Sequence, residues 1–397
     1  MTTNISEQKA VPFWRDERYL KVIIQVILVG AVIGLVYYLV HNLVTGLEAS
    51  GQPLTLSFLS QTAQFDIGEK LIDYSRSSTY ARAFLVGLLN TIKVSFLGII
   101  LATILGIIVG IARLSNNWLI NKLASIYVEF LRNIPLLVLL VFLAAGVFFK
   151  FPKVSKALSI AQVAFFTNRG VFVPWAVPTA SWPLFVWVLL LAFLVALVLA
   201  VLLIRHGLET GRMPLYWLWA PLAFLVVAAI GWIVITLTTS QAPLSLSIPK
   251  LEGRNFKGGT SWSPEFMALL LGLVIYTGAY IAEVVRAGIQ SVSKGQREAA
   301  GALGLSGFQT MRLVVFPQAM RVIVPPLTSQ YLNLTKNSSL AIAVGYPDLF
   351  AVGGTIINQS GRAIESISLI MLVYLTFSLI TSLFMNWYNQ RIRLVER

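Results

Sequence analysis

Apolar residues gather in eight long stretches, 22–43, 84–111, 125–149, 184–204, 217–239, 265–285, 322–345 and 366–388, separated by polar segments. About 20 apolar residues in a helix cross the roughly 30 Å hydrocarbon core of a bilayer, so each stretch is long enough to span one. Backbone polar groups in lipid must be satisfied within their own segment, which makes such spans helical. No alternating pattern of the barrel kind competes, and the expectation is an all-α membrane protein with about eight transmembrane helices.

The stretches differ in what interrupts them. Within 84–111, Gly106 and Gly110 permit close helix contact, as do Gly30 and Gly34 in the first span, although glycine is common in membrane helices and the spacing alone is weak. Lys93 is costly inside a span and either faces a cavity, partner or interface or snorkels to headgroups. Glu129 and Arg132 open the 125–149 stretch three residues apart, so one helical face can pair them, with a share in a gate as the sharper alternative. Stretch 322–345 is the most polar. Pro325-Pro326 should break or kink its helix, and Asn333, Lys336, Ser338 and Ser339 follow on a face that cannot meet lipid. These residues either line a substrate path or hydrogen-bond a helix of a partner subunit.

Between 265–285 and 322–345 lies a polar and basic island, Ser293 to Pro317, which has to face water. Ser293 with Gln296 has the spacing of a capping box, Gly304 can adopt the left-handed conformation that ends a helix, and Ser306 with Gln309 can cap a second one. Two short helices joined at a glycine and closed by Pro317 follow. Stretches 184–204 and 217–239, bordered by Trp182, Trp187, Trp217 and Trp219, form a helical hairpin that enters and leaves on one side.

The composition, 57% hydrophobic and 12% charged, exceeds the roughly 45–50% apolar share of soluble domains and agrees with lipid as the solvent. The net charge of +14 would suggest nucleic acid in a soluble protein. Here Lys and Arg are denser in the segments that alternate with Met1 on the inner side, so the excess is topology and headgroup contact, both termini are expected in the cytoplasm, and no nucleic-acid partner is expected. The first span is too long for a cleaved signal. There is no cysteine, and His41 and His206 are the only histidines, so neither a thiolate nor a histidine metal site is expected, nor any cofactor. No Gly-x-x-x-x-Gly-Lys-Ser/Thr occurs, so this chain cannot cradle ATP by that route and is not expected to be an enzyme.

Glu298-Ala299-Ala300, then Gly304, then Val314-Val315-Phe316-Pro317 resembles the EAA loop of type I ABC importer permeases, which docks a cytoplasmic ATPase. Val314 and Phe316 stand where that family has isoleucine and leucine. Ala279-Tyr280-Ile281-Ala282-Glu283-Val284-Val285-Arg286-Ala287-Gly288 resembles the lead-in of the polar amino-acid uptake branch, and Tyr127 to Leu137 its second core helix. Lys336-Asn337-Ser338-Ser339-Leu340 resembles its Lys-x-Thr-Ser-Leu run, with Ser338 for threonine. The resemblance covers about 84–149 and 265–388 and lapses over 150–264.

It implies a five-helix permease core with an extra N-terminal helix and an inserted hairpin. The divisions are 1–83 (tail, first span and outer loop), 84–388 (transmembrane domain, interrupted by 150–264 and carrying the docking loop 293–317) and 389–397 (cytoplasmic tail). The implied docking residues are Glu298, Ala299, Ala300, Leu303, Gly304, Ser306, Gln309 and Pro317, with Glu129, Arg132, Glu283 and Arg286 as core ion pairs or gate. The implied partners are a cytoplasmic ABC ATPase dimer, a second related permease and a periplasmic amino-acid-binding protein, in a bacterial inner membrane. The size and insertion resemble one member of a broad-specificity L-amino-acid permease pair. Two rivals differ in kind. An ion-driven secondary transporter needs buried carboxylates near the midplane, and a membrane enzyme needs a nucleophile–base or metal constellation.

Overall fold

The long helices form where the hydropathy pattern puts them. A computed structural model describes residues 17–49, 51, 53–211 and 215–392; the basic residues Lys9, Arg15, Arg393 and Arg397 and part of the hairpin's turn lie outside the described residues. The long helices are α1 (Glu17–Ala49), α2 (Tyr80–Ala112), α5 (Trp182–Thr210), α6 (Tyr216–Thr239), α7 (Pro264–Gln290) and α12 (Ala363–Ile392). Among the described residues six helices are long and apolar enough to cross a membrane, and two bent pairs raise the number to eight.

The centre of the bundle is the close contact of α2 with α7. A Cβ on Gly106 would stand 2.5 Å from Ile281 Cγ2, and one on Gly110 2.8 Å from the Ala282 carbonyl oxygen, so these glycines set how near the two backbones come. Gly30 and Gly34 of α1 meet no atom within 4 Å, and the same spacing there packs nothing. Leu269, Leu273, Ile281 and Ala282 of α7 are fully buried, and around them sit Val94, Leu140 and Leu334.

The 125–149 stretch is not one span. Helix α3 (Trp118–Arg132) turns by 105° at Asn133 to Pro135 into the segment Leu136–Lys150, which begins as α4 (Leu136–Val141) and continues through a π turn. Pro135 supplies the reason, because a residue before proline is driven out of the helical region and Pro135 then starts the next helix from its N-cap. Helix α3 is amphipathic: Ala124, Val128 and Leu131 are buried, whereas Leu119, Leu123, Ile126 and Phe130 are exposed.

The connections 150–183 and 240–264 carry strands as well as coil. Strands β1 (Leu158–Ile160), β2 (Ala164–Thr167) and β3 (Gly170–Val173) form an antiparallel sheet completed by β8 (Thr260–Trp262), while β4 (Trp175–Pro178) pairs with β5 (Leu244–Ser247) and β6 (Lys250–Glu252) with β7 (Asn255–Lys257). The sheet joins both ends of the inserted segment. Helices α5 and α6 pack against each other, with Phe185 edge-on to Trp232 and Gly231 beneath Val188.

Residues 53–79, for which the sequence offers no chemistry, build a small core from Phe58, Ala63, Ile67 and Tyr74 at the start of α2. They also hold Lys93. Its Nζ donates to Glu69 Oε1 at 2.5 Å and sits 4.0 Å from the centroid of the Phe266 ring, so the lysine is paired and does not snorkel to headgroups. Glu69 Oε2 accepts from Ser263 Oγ at 2.5 Å, and Asn90 donates to the Glu69 and Pro347 carbonyls. One carboxylate thus ties α2 to α7. Glu69→Gln should cost on the order of 2 kcal/mol, because it leaves a mostly buried lysine without its anion while some water still reaches it. A lowered thermal midpoint in detergent, partly restored by adding Lys93→Met, is the expected measurement; an unchanged midpoint would count against the tie.

Candidate functional site

Helices α7, α8 (Lys294–Ala302), α9 (Gly307–Thr310) and α10 (Phe316–Asn337) build the 293–317 loop and its roots. Gly304 has φ +76°, its N–H donates to Gly301 O, and Leu305 N–H reaches back to Ala300 O at 3.1 Å, the pattern of a helix ended by a left-handed glycine. Ser306 and Gln309 form the full capping box of α9. The expected Ser293–Gln296 box does not form. Ser293 is the N-cap of α8 without a side-chain bond, because the Gln296 amide is engaged across the loop with Gln318 Nε2 at 3.3 Å. Pro317 does not close the second helix either. Lacking an N–H, it sits in the first turn of α10, where none is required, and a π turn at Met311–Val315 joins it to α9.

The loop is fastened at both ends. Arg297 donates to the Ile289 carbonyl at 2.7 Å at the end of α7, and Gln296 meets Gln318 in the first turn of α10. Glu298 and Ala299 are exposed, and Ala300 is buried against the chain itself. Leu303 is 82% exposed and Phe308 74%, the most exposed of the loop's large apolar side chains, with Met311, Leu313 and Phe316 exposed to a lesser degree. The exposure of Phe308 is not legible in the sequence, since nothing in its neighbourhood marks which way a single aromatic on a short helix turns.

Helix α10 continues unbroken through Pro325-Pro326, and the break comes at Gly345, φ +82°. Membrane helices absorb such prolines when neighbouring groups re-satisfy the backbone. Its exposed face runs Val322, Pro326, Ser329, Asn333 and Lys336, a stripe at helical spacing that turns polar away from the loop. Ser339 is partly exposed near its end. Ser338 is not on that face: it is fully buried and donates to the Thr335 carbonyl at 2.7 Å. The helical phase separates it from Lys336 and Asn333.

At the loop end of α7, Glu283 accepts from Arg286 at 2.5 Å and from Arg113 of the α2 terminus, and Arg286 also reaches Gln290. The Glu129–Arg132 pair does not form. Glu129 points to the exposed side of α3, while Arg132 lies with Cζ 5.4 Å from the centroid of Tyr280. The 105° turn explains the difference, since Arg132 ends α3 and faces α7 across the corner. Asp348, not singled out from sequence, is a fully buried carboxylate. Its oxygens accept from the Ala351 N–H at 2.8 Å and the Tyr374 hydroxyl at 3.1 Å, so it caps α11 (Leu349–Ser360) and pins that helix to α12.

Residues 102–394 match the family described as the binding-protein-dependent transport system inner membrane component. The chain is 44% identical to a general L-amino acid transport system permease protein of Rhizobium johnstonii, over 96% of this chain and 94% of that protein. It is 46% identical to a putative amino-acid ABC transporter permease protein of Escherichia coli, over 94% of each. It is 41% identical to a glutamate/glutamine/aspartate/asparagine transport system permease protein of Rhodobacter capsulatus, over 96% of each.

Proposed function

The chain belongs to the binding-protein-dependent transport system inner membrane components, and on that premise we propose how it carries amino acids. It is the permease subunit of an ATP-driven amino-acid importer of the polar amino-acid branch. The motor is a separate pair of ABC ATPase subunits that grips the 293–317 loop from the cytoplasm of a bacterium. A second, related permease completes the path, and an extracytoplasmic binding protein delivers the solute.

The single observation that supports this reading best is the loop, where Leu303 stands exposed just before the left-handed Gly304 and Phe308 stands exposed within the capped helix α9. A motor closing on nucleotide would pull on the loop, and Arg297 and Gln296 would pass the pull to α7 and α10. Asn333 and Lys336 of the exposed α10 face, with Ser339 just beyond its end, would line the path, and a second permease would cover the rest of the stripe. The buried carboxylates among the described residues do not support ion coupling, because both oxygens of Asp348 are committed to hydrogen bonds within the fold and Glu365 is paired with Arg362.

The test is co-purification of the full chain with its ATPase in mild detergent. Burying a Leu or Phe side chain is worth about 1.5–3 kcal/mol. Leu303→Asp combined with Phe308→Asp should therefore weaken association by about 3 kcal/mol or more, over a hundredfold. An ATPase that stays bound to the double variant at wild-type affinity would remove the loop from the docking role.

A further inference from the structure

We propose that Arg132 is the carboxylate-binding residue of a solute subsite at the loop end of the path, an inference that rests on the transport reading above. A cavity of about 270 Å³ opens there, walled by Arg132, Tyr280 and Glu283 and by Val322, Pro326 and Gln330 of α10. Ligand pockets for drug-sized molecules are about 300–1,000 Å³. This one suits something smaller. Three of its wall residues continue the exposed stripe of α10 or lie one position from it, so it adjoins the surface that carries Asn333 and Lys336.

The charges around it do not balance. Glu283 is the one carboxylate in the wall, and Arg286 and Arg113 already neutralise it. Arg132 keeps its charge without an anion: among the described residues its guanidinium makes no hydrogen bond and no ion pair, and only the Tyr280 ring holds it. Tyr280 is itself fixed, its hydroxyl 3.2 Å from that of Tyr276 and 3.4 Å from the Arg132 carbonyl. A guanidinium presents five N–H donors in a planar fork that matches a carboxylate in two parallel bonds. The site therefore selects the group common to all α-amino acids, and Gln330 adds an amide on the α10 side. Recognition by the shared carboxylate leaves the side chain unread, which fits a permease of wide range.

The experiment uses the full chain with its co-purified partner subunits, in nanodiscs for binding and in liposomes for uptake. The probes are labelled L-glutamine and 4-aminobutanamide, the same molecule without its carboxylate. The unaltered complex should bind L-glutamine at least about tenfold more tightly than 4-aminobutanamide. Arg132→Gln should lose that preference, Arg132→Lys should keep part of it, and the ATPase should co-purify with both variants. Gln330→Ala should weaken L-glutamine binding with Arg132 intact. Equal binding of the two probes by the unaltered complex, or an Arg132→Gln complex that keeps the preference, would overturn the assignment. Absence of ATP-driven uptake of every L-amino acid in a panel that includes L-glutamine would instead bring down the transport reading, and this inference with it.

Discussion

Gly304→Pro is expected to abolish ATP-driven uptake while the chain still inserts in the membrane. The φ of Gly304 is +76°, and proline fixes φ near −65°, so the turn between α8 and α9 cannot be made. Proline also removes the N–H that Gly304 donates to the Gly301 carbonyl at 2.9 Å. The loss is one of backbone, since a Cβ placed on Gly304 meets nothing within 4 Å. Gly304→Ala is the matching control. It adds no clash and costs about 1–2 kcal/mol for the left-handed conformation, so a partial loss of uptake should accompany it. Uptake assays in proteoliposomes with the ATPase present rank the three chains, and a proline variant that transports like the parent would show that the angle of the loop does not matter.

Gly110→Val should be nearly as damaging by a different route. Its Cβ would stand 2.8 Å from the Ala282 carbonyl oxygen and 2.9 Å from Val285 Cβ, and backbone on the facing helix cannot rotate away. Helices α2 and α7 would have to separate along the centre of the bundle, and overpacking of this kind costs typically about 1–3 kcal/mol and occasionally more. Gly34→Val is the comparison, because the same glycine spacing in α1 has no neighbour. Thermal unfolding in detergent should drop for Gly110→Val and hold for Gly34→Val. Equal midpoints would mean that the α2–α7 contact carries little of the stability.

The sequence made the spans legible because lipid imposes a length on every one of them, and it made the loop caps legible because Gly304, Ser306 and Gln309 act on their own neighbours. What it hid depends on distant partners. The corner at Pro135 is masked because an interfacial helix and a span are both apolar, and α3 runs into the Leu136–Lys150 segment without a polar gap. Strands β1 to β8 are three or four residues each, too short for alternation to stand out, and they are held by pairing such as that of β3 with β8 across the inserted hairpin. Ser293 and Gln296 have the right spacing, yet Gln318 competes for the amide from another helix. The freedom of Arg132 is of the same kind, for its sequence neighbour Glu129 turns away.

The two strands that lead into and out of the α5–α6 rod lie side by side, with Trp175 opposite Ser247 and Pro178 opposite Leu244, and Thr179 bonded to the Ala242 and Pro243 carbonyls. A segment whose two ends already touch is a cassette. It can be gained, lost or exchanged in one genetic step without shifting the register of what flanks it, so the length of this chain and the working of its bundle are free to evolve apart.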